Sequence, residues 1–167
     1  MKAFFTFLAV FLAIAGPARP MELRAPTEAV ILTVGGAIAV TNYGDTAVFD
    51  RPMLEDLGGD VIVTSTVWTN GVSEFEGIKL STLAELLGVT AGTFVSVALN
   101  DYNVEIPVSD ATYLEPILAY KRNGSYLTVR DKGPLWVIYP YDGNENARTE
   151  LIYSRSIWQL DRMIVEE

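Results

Sequence analysis

The sequence predicts a single compact mixed α+β domain. Three observations carry that expectation: short runs of alternating apolar residues, short amphipathic runs with capping residues at their starts, and Gly or Asx punctuation between them. Ala29 to Val34 and Ala37 to Thr41 read as strands around a Gly35-Gly36 bend, followed by the turn Asn42-Tyr43-Gly44-Asp45. Asp50 to Leu57 reads as a short helix capped by Asp50, with Pro52 in its first turn and Gly58-Gly59 as its stop. Asp60 to Trp68 alternates as a strand, and Glu74 and Glu76 bracket Phe75 in a strand-like register that exposes both acids. Ser81 to Leu87 is a second helix, capped by Ser81 and stopped by Gly88. Thr93 to Leu99 and Tyr102 to Pro107 form a hairpin about Asn100-Asp101. Asp110 to Tyr120 reads as a third helix with Pro116 as its weak point, and Leu127 to Val129, Leu135 to Tyr139 and Ile157 to Val165 complete the strands. Arg130-Asp131-Lys132 reads as a solvated loop, and Trp136, inside an apolar alternation, as core.

The N-terminus has a different character. Lys2 precedes an unbroken apolar run from Ala3 to Ala15, followed by Gly16, Pro17 and Ala18. The run is shorter than the roughly 20 apolar residues a spanning helix needs, and small residues near its end suit a signal peptidase. Residues 1–18 are therefore expected to be a cleavable signal peptide and 19–167 the folded domain, exported through the inner membrane to the periplasm and not inserted in the membrane after cleavage. Val30 to Val40 is apolar too, but it is short and broken by Gly35 and Gly36. A formal charge of −9 argues against nucleic acid and anionic membrane as partners. With no cysteine and no histidine, the chain has no disulfide, no Ser-His or Cys-His nucleophile and no zinc site of the usual kinds.

Several short segments fall in a telling order: Trp68-Thr69-Asn70-Gly71, Ala98-Leu99-Asn100-Asp101-Tyr102, Ile106-Pro107, Leu118-Ala119-Tyr120, Asn123-Gly124, Gly133-Pro134-Leu135-Trp136, and Arg155-Ser156-Ile157-Trp158-Gln159-Leu160. Collinear from about Asp60 to Val165, they resemble the molybdopterin-binding domain of the sulfite oxidase family. That resemblance implies the fold of that family and a pyranopterin site. It also implies a cysteine thiolate on molybdenum, contributed by the stretch that is Thr64-Ser65-Thr66 here. A neutral hydroxyl is a poor replacement for that thiolate. In the closing strand the family's lysine and tryptophan are replaced by Trp158 and Gln159, so a flat apolar ring stands where the resemblance implies a cation.

These departures suit a pterin bound without metal. Its bicyclic face stacks on aromatic rings, while its amino-pyrimidinone edge needs fixed polar partners. The candidate pterin-binding residues are Trp68 and Trp158 for stacking, Asn100 or Asp101 for the edge, Tyr102 as a wall, and Arg155 with Ser156 for the ring carbonyl or side chain. No catalytic residue and no metal ligand is assigned. Each candidate also has a plainer reading: Asn100-Asp101 as a turn, Trp68 packed under a loop, Arg155 paired with a surface carboxylate.

Within the family, small cysteine-free exported members look like periplasmic proteins that bind a reduced pterin. Such proteins relay it to the periplasmic region of a membrane enzyme that makes and degrades cyclic di-GMP. The resemblance thus implies a receptor with reduced pterin as ligand and no tightly bound cofactor; the partner contacts are expected in the loops Gly71 to Glu76 and Tyr139 to Arg148, which are rich in acidic and aromatic residues. A molybdopterin-dependent oxidoreductase lacking the usual cysteine ligand, and a structural or assembly domain, remain as alternatives.

Overall fold

A computed structural model describes residues 23–167; the expected signal peptide lies outside the described residues. In chain order the elements are β1 (Val30–Gly36), β2 (Ala47–Asp50), α1 (Arg51–Asp56), β3 (Asp60–Ser65), β4 (Val72–Lys79), α2 (Leu80–Leu87), β5 (Thr93–Ala98), β6 (Asn103–Pro107) and α3 (Val108–Tyr113). Then follow β7 (Ile117–Arg122), β8 (Ser125–Tyr126), β9 (Leu135–Ile138), α4 (Glu150–Arg155) and β10 (Trp158–Glu166).

One curled, half-barrel sheet takes all ten strands, in the order β2-β1-β10-β9-β7-β4-β3, with β5 and β6 joined to β10 and β8 to β7. The fold is β-rich, 41% strand and 22% helix, and not the α+β class expected. Three segments account for the correction. The third helix stops at Tyr113, and Ile117 to Arg122 instead forms a strand between β4 and β9. Pro116 cannot continue a helix, and Ile117, Leu118, Ala119 and Tyr120 are all buried, which suits a strand covered on both faces. Second, β4 extends over eight residues where the sequence reading placed only a local register around Phe75. Third, four-residue β2 is wholly buried and too short to alternate visibly.

Other boundaries moved as well. Residues 37–41 form no strand, since β1 ends at Gly36, whose φ is +86°. Residues 127–129 form no strand either; Val129–Asp131 is a 3-10 turn. α2 starts one residue before the expected Ser81 cap, and its Leu80 amide donates to Pro116 O at 2.9 Å. The Asp50 cap stands as expected, accepting from the Met53 amide at 2.9 Å, and Gly88 closes α2 in the left-handed region.

The core fills the curl of the sheet. Phe49, Phe75, Phe94, Trp136, Tyr120 and Tyr139 are its largest fully buried side chains, with Leu32, Leu54, Leu83 and Leu87 packed among them. Trp136 is core, as its alternation suggested. Gly77 lies at a register shift between β4 and β7, where a Cβ would fall 2.2 Å from Leu118 O, so only glycine lets the strands approach there.

β10 positions the site. Its first residues pair with β9, its later ones run parallel to β1, and β5 covers its other edge. Trp158 pairs with Trp136 and Leu160 with Leu135, leaving Gln159 as the extra residue of a bulge at φ +53°. The bulge is held from both sides: the Gln159 amide donates to Lys132 O and Gln159 O accepts from the Leu99 amide, each at 2.9 Å. Because the extra residue interrupts the alternation, Leu160 goes into the core while Trp158 stays 37% exposed.

Candidate functional site

A cavity of about 530 Å³ opens beside the start of β10. The loop after β3 gives it Val67 and Trp68; the β5–β6 hairpin gives Ala98, Asn100 and Tyr102; and the end of α4 with the start of β10 gives Tyr153, Ser154, Ser156, Ile157 and Trp158. None of these side chains is charged. The volume lies within the roughly 300–1,000 Å³ of small-molecule sites, and the walls are mainly apolar with a few polar groups, as such sites are. A larger cavity of about 720 Å³ between α2 and α3 is lined by small or aliphatic side chains and Glu85 and has no aromatic wall.

The aromatic walls meet at corners. Trp68 and Trp158 have ring centroids 5.8 Å apart at 70°, and Trp68 and Tyr153 5.9 Å apart at 88°. A flat ligand therefore stacks on one of these rings and meets the edges of the others, the arrangement that ring quadrupoles favour. Behind them Trp136 lies edge-on to both tryptophans, at 5.9 Å from Trp68 and 6.4 Å from Trp158. Its Nε1 donates to Ser156 O at 3.1 Å, which ties the floor to the wall. Lys132, expected in a solvated loop, lies with its Nζ 4.1 Å from the Trp158 ring centroid. A cation thus stands against one face of Trp158 although none is present in the closing strand at that point.

Of the seven residues proposed from sequence, Trp68, Asn100, Tyr102, Ser156 and Trp158 line this one cavity. Asp101 does not. It takes φ +64° at the hairpin tip, points to solvent and pairs with Arg162, so its observed work is the turn. Arg155 does not either: its Nη1 reaches Asp110 Oδ2 at 3.0 Å and Oδ1 at 3.3 Å, and Asp110 also accepts from Tyr139 OH at 3.0 Å. The partner is thus a buried carboxylate and not the surface one considered. Burial, then the Asp110 charge, pushes the Tyr139 phenol far above its usual range, so it remains a donor.

Ser156 has little left to offer a ligand. Its Oγ donates to Ile152 O at 2.8 Å and accepts from Tyr141 OH at 2.6 Å, leaving one acceptor lone pair. Burial pushes Tyr141 up to about 12, so that phenol also stays protonated. The sequence reading missed Tyr153. The signal was present in Thr149-Glu150, a capping threonine opening a helix, and Thr149 Oγ1 does accept from the Ile152 amide at 3.2 Å.

A second cavity of about 280 Å³ shares Val67 and Tyr153 with the first and is lined further by Ser65, Thr66, Tyr141, Asp142 and Arg148. At its edge the three hydroxyls of Thr64 to Thr66, the stretch where the resemblance places the lost thiolate, are engaged. Thr64 is fully buried; its Oγ1 accepts from the Asp142 amide at 3.0 Å and donates to Ser65 O at 3.2 Å. Ser65 donates its amide to Asp142 Oδ2 at 2.6 Å and its hydroxyl to Oδ1 at 2.8 Å. Thr66 Oγ1 lies 2.8 Å from Thr69 Oγ1 and accepts from the Trp68 amide at 3.1 Å. Hydrogen bonds from the Ser65 amide and hydroxyl hold the Asp142 carboxyl below its usual range, so it is ionised at neutral pH.

Residues 52–144, more than half the chain, match the family of oxidoreductase molybdopterin binding domains. The chain belongs to that family. No curated protein matches it. The match spans β3 to β9 and so includes Trp68, Asn100 and Tyr102, while Tyr153 to Trp158 lie beyond it. Molybdopterin, the group the family's name implies, fits this member only in part. Its flat ring system suits the aromatic corner, but the residues at the strand end do not suit molybdenum. They are neutral hydroxyls already bonded within the protein, and among the described residues no group of three or more His, Cys, Asp or Glu could hold a metal ion.

Proposed function

We propose that this protein is a periplasmic receptor for a reduced pterin, bound without metal in the aromatic cavity. The observation that carries the reading is the pairing of two features on adjoining walls. Trp68, Tyr153 and Trp158 form an uncharged corner for a flat heterocycle, and next to it the Thr64 to Thr66 stretch offers no thiolate. The ring stacks on one tryptophan, and the Asn100 side chain and the last lone pair of Ser156 address its polar edge. The alternative, a molybdopterin-dependent oxidoreductase lacking the usual cysteine ligand, would hold its metal through the pterin dithiolene with no anchoring bond from these engaged hydroxyls.

In this reading the receptor passes the ligand's presence to the periplasmic region of a membrane enzyme that makes and degrades cyclic di-GMP. Residues 139–148 are the better of the two expected contact segments, because Tyr141, Asp142 and Arg148 line the cavity next to the ring site. Gly71 to Glu76 is mostly the first half of β4 and not a loop. A ligand that prefers one arrangement of the 139–148 segment biases the partner by its differential affinity for the two.

Tryptophan fluorescence titrated with a dihydropterin tests the first half of the proposal. Saturable quenching at micromolar ligand, lost in Trp158→Ala, supports it, whereas no binding at those concentrations removes it. Stoichiometric molybdenum in protein purified from cells that make the cofactor would favour the oxidoreductase instead. Capture of the receptor from periplasm by a detergent-solubilised cyclic di-GMP enzyme, in a pterin-dependent manner, tests the relay.

A further inference from the structure

The second cavity is built around an internal anion. At the end of β3 the Ser65 amide, the Ser65 hydroxyl and the Arg148 guanidinium converge, and the Asp142 carboxylate fills their focus, with Arg148 Nη2 to Asp142 Oδ1 at 3.0 Å. Arg148 Nε is used as well, donating to Tyr141 O at 2.7 Å. A guanidinium has five N–H donors and a carboxylate about four acceptor positions. Three donors on Arg148 and one acceptor position on Asp142 Oδ2 are therefore uncommitted, side by side and half open to solvent.

Such a pair suits a row of hydroxyls, one donating to the open position on Asp142 and its neighbours accepting from the remaining Arg148 donors. It does not suit a phosphate. The positive charge of Arg148 is already neutralised by Asp142, and an incoming anion would lie against a carboxylate held in place by three hydrogen bonds. The pair stands one wall from the aromatic corner, since Val67 and Tyr153 face both cavities. A substituent on a ring stacked in the first cavity has that direction open to it.

Resting on the pterin reading above, we infer that Asp142 and Arg148 form a tail-selecting subsite, one that accepts a neutral polyhydroxyalkyl substituent and rejects the same substituent when phosphorylated. Asp142 is the discriminating residue and Arg148 the one that orients the hydroxyls. The receptor thereby favours a pterin whose tail is unphosphorylated over the same pterin phosphorylated.

Three probes share one ring: dihydroneopterin, dihydroneopterin monophosphate and a methyl-substituted dihydropterin with no tail. Their dissociation constants are measured by tryptophan quenching. The wild-type protein is expected to bind the polyol at least tenfold more tightly than its phosphate. Asp142→Asn brings that ratio below about threefold, while Arg148→Gln, which leaves the carboxylate unneutralised, raises it about threefold or more. Because each variant is read as a ratio of two ligands, a general loss of folded protein cancels.

Equal or tighter binding of the phosphate by the wild-type protein overturns the inference, as does a ratio that neither substitution moves. The tailless probe separates this failure from the larger one. If it binds and the tails make no difference, only the subsite is wrong; if no probe binds, the pterin reading falls and the subsite with it.

Discussion

Replacing Asp50 with asparagine should destabilise the domain by about 2–3 kcal/mol at neutral pH, and the loss should shrink in acid. The side chain has no exposed surface. Its Oδ1 caps α1 through the Met53 amide, and its Oδ2 accepts from the Thr27 amide at 2.6 Å, the Glu28 amide at 2.9 Å and the Thr27 hydroxyl at 3.2 Å. One carboxylate therefore starts a helix and ties the segment before β1 to the sheet. Burial alone would raise its pKa, but the bonds from Glu28, Thr27 and Met53 outweigh burial and bring it from 3.8 down to about 2. That lowering corresponds to roughly 2 kcal/mol of preference for the ionised form.

The sign follows from the lowered value. The contribution is fully present above the unfolded-state pKa and is lost as pH falls through the folded one, so the window runs from about pH 4 down to about pH 2. Asparagine keeps one acceptor oxygen and turns an amide NH₂ toward either the cap or the N-terminal segment, adding about 1 kcal/mol for an unmet donor. Urea unfolding of both proteins at pH 7 and near pH 2 checks this. A variant within about 0.5 kcal/mol of the parent at pH 7, or a difference that does not change with pH, would refute the account.

Trp158→Ala should weaken dihydropterin binding roughly fivefold to 150-fold with little change in far-UV circular dichroism, since a base-sized ring on an aromatic is worth about 1–3 kcal/mol. Asp101→Asn, which keeps a residue tolerant of positive φ, should leave the same dissociation constant within about twofold, and a large loss would return Asp101 to the binding site. Gly77→Ala should abolish or severely lower the thermal unfolding transition, because a Cβ there meets backbone atoms of Leu118 and Ala119 that cannot swing aside. Arg155→Met should cost about 3–5 kcal/mol in urea unfolding by leaving Asp110 buried without its cation, and a cost near zero would mean that the pair is solvated.

The legible parts of this fold are those specified by local chemistry. Asp50 and Gly88 mark helix ends through a carboxylate and an unhindered φ, and Asn100-Asp101 marks a hairpin because Asx residues tolerate the turn; neighbours in sequence suffice for all three. The illegible parts are specified by distant partners. Ile117 to Tyr120 has the composition of a buried helix or of a strand covered on both faces, and only pairing with β4 and β9 decides between them. The same division applies to the site. Trp68, Asn100, Tyr102, Ser156 and Trp158 stand in recognisable segments, whereas Lys132 reaches the Trp158 ring because of a hydrogen bond between Lys132 O and Gln159 that no spacing announces. Asp101 and Arg155 are of types that suit a ligand edge equally well, and the partners that engage them in the fold, Arg162 and Asp110, lie far from them in sequence.

The place of β10 has a further consequence for how the molecule comes into being. It is the last strand in chain order, and β1, β5 and β9 all converge on it. The β1–β2 pair, the β5–β6 hairpin and the β9-β7-β4-β3 portion therefore stay separate pieces of sheet until β10 joins them, and the long sequence separation of β1 from β10 makes that joining step slow. Trp158 arrives with the same strand, so there is no stage at which the binding corner exists before the sheet is closed. A ligand bound in that corner as proposed above would bind only the closed sheet, and by mass action it would draw slowly closing chains to completion.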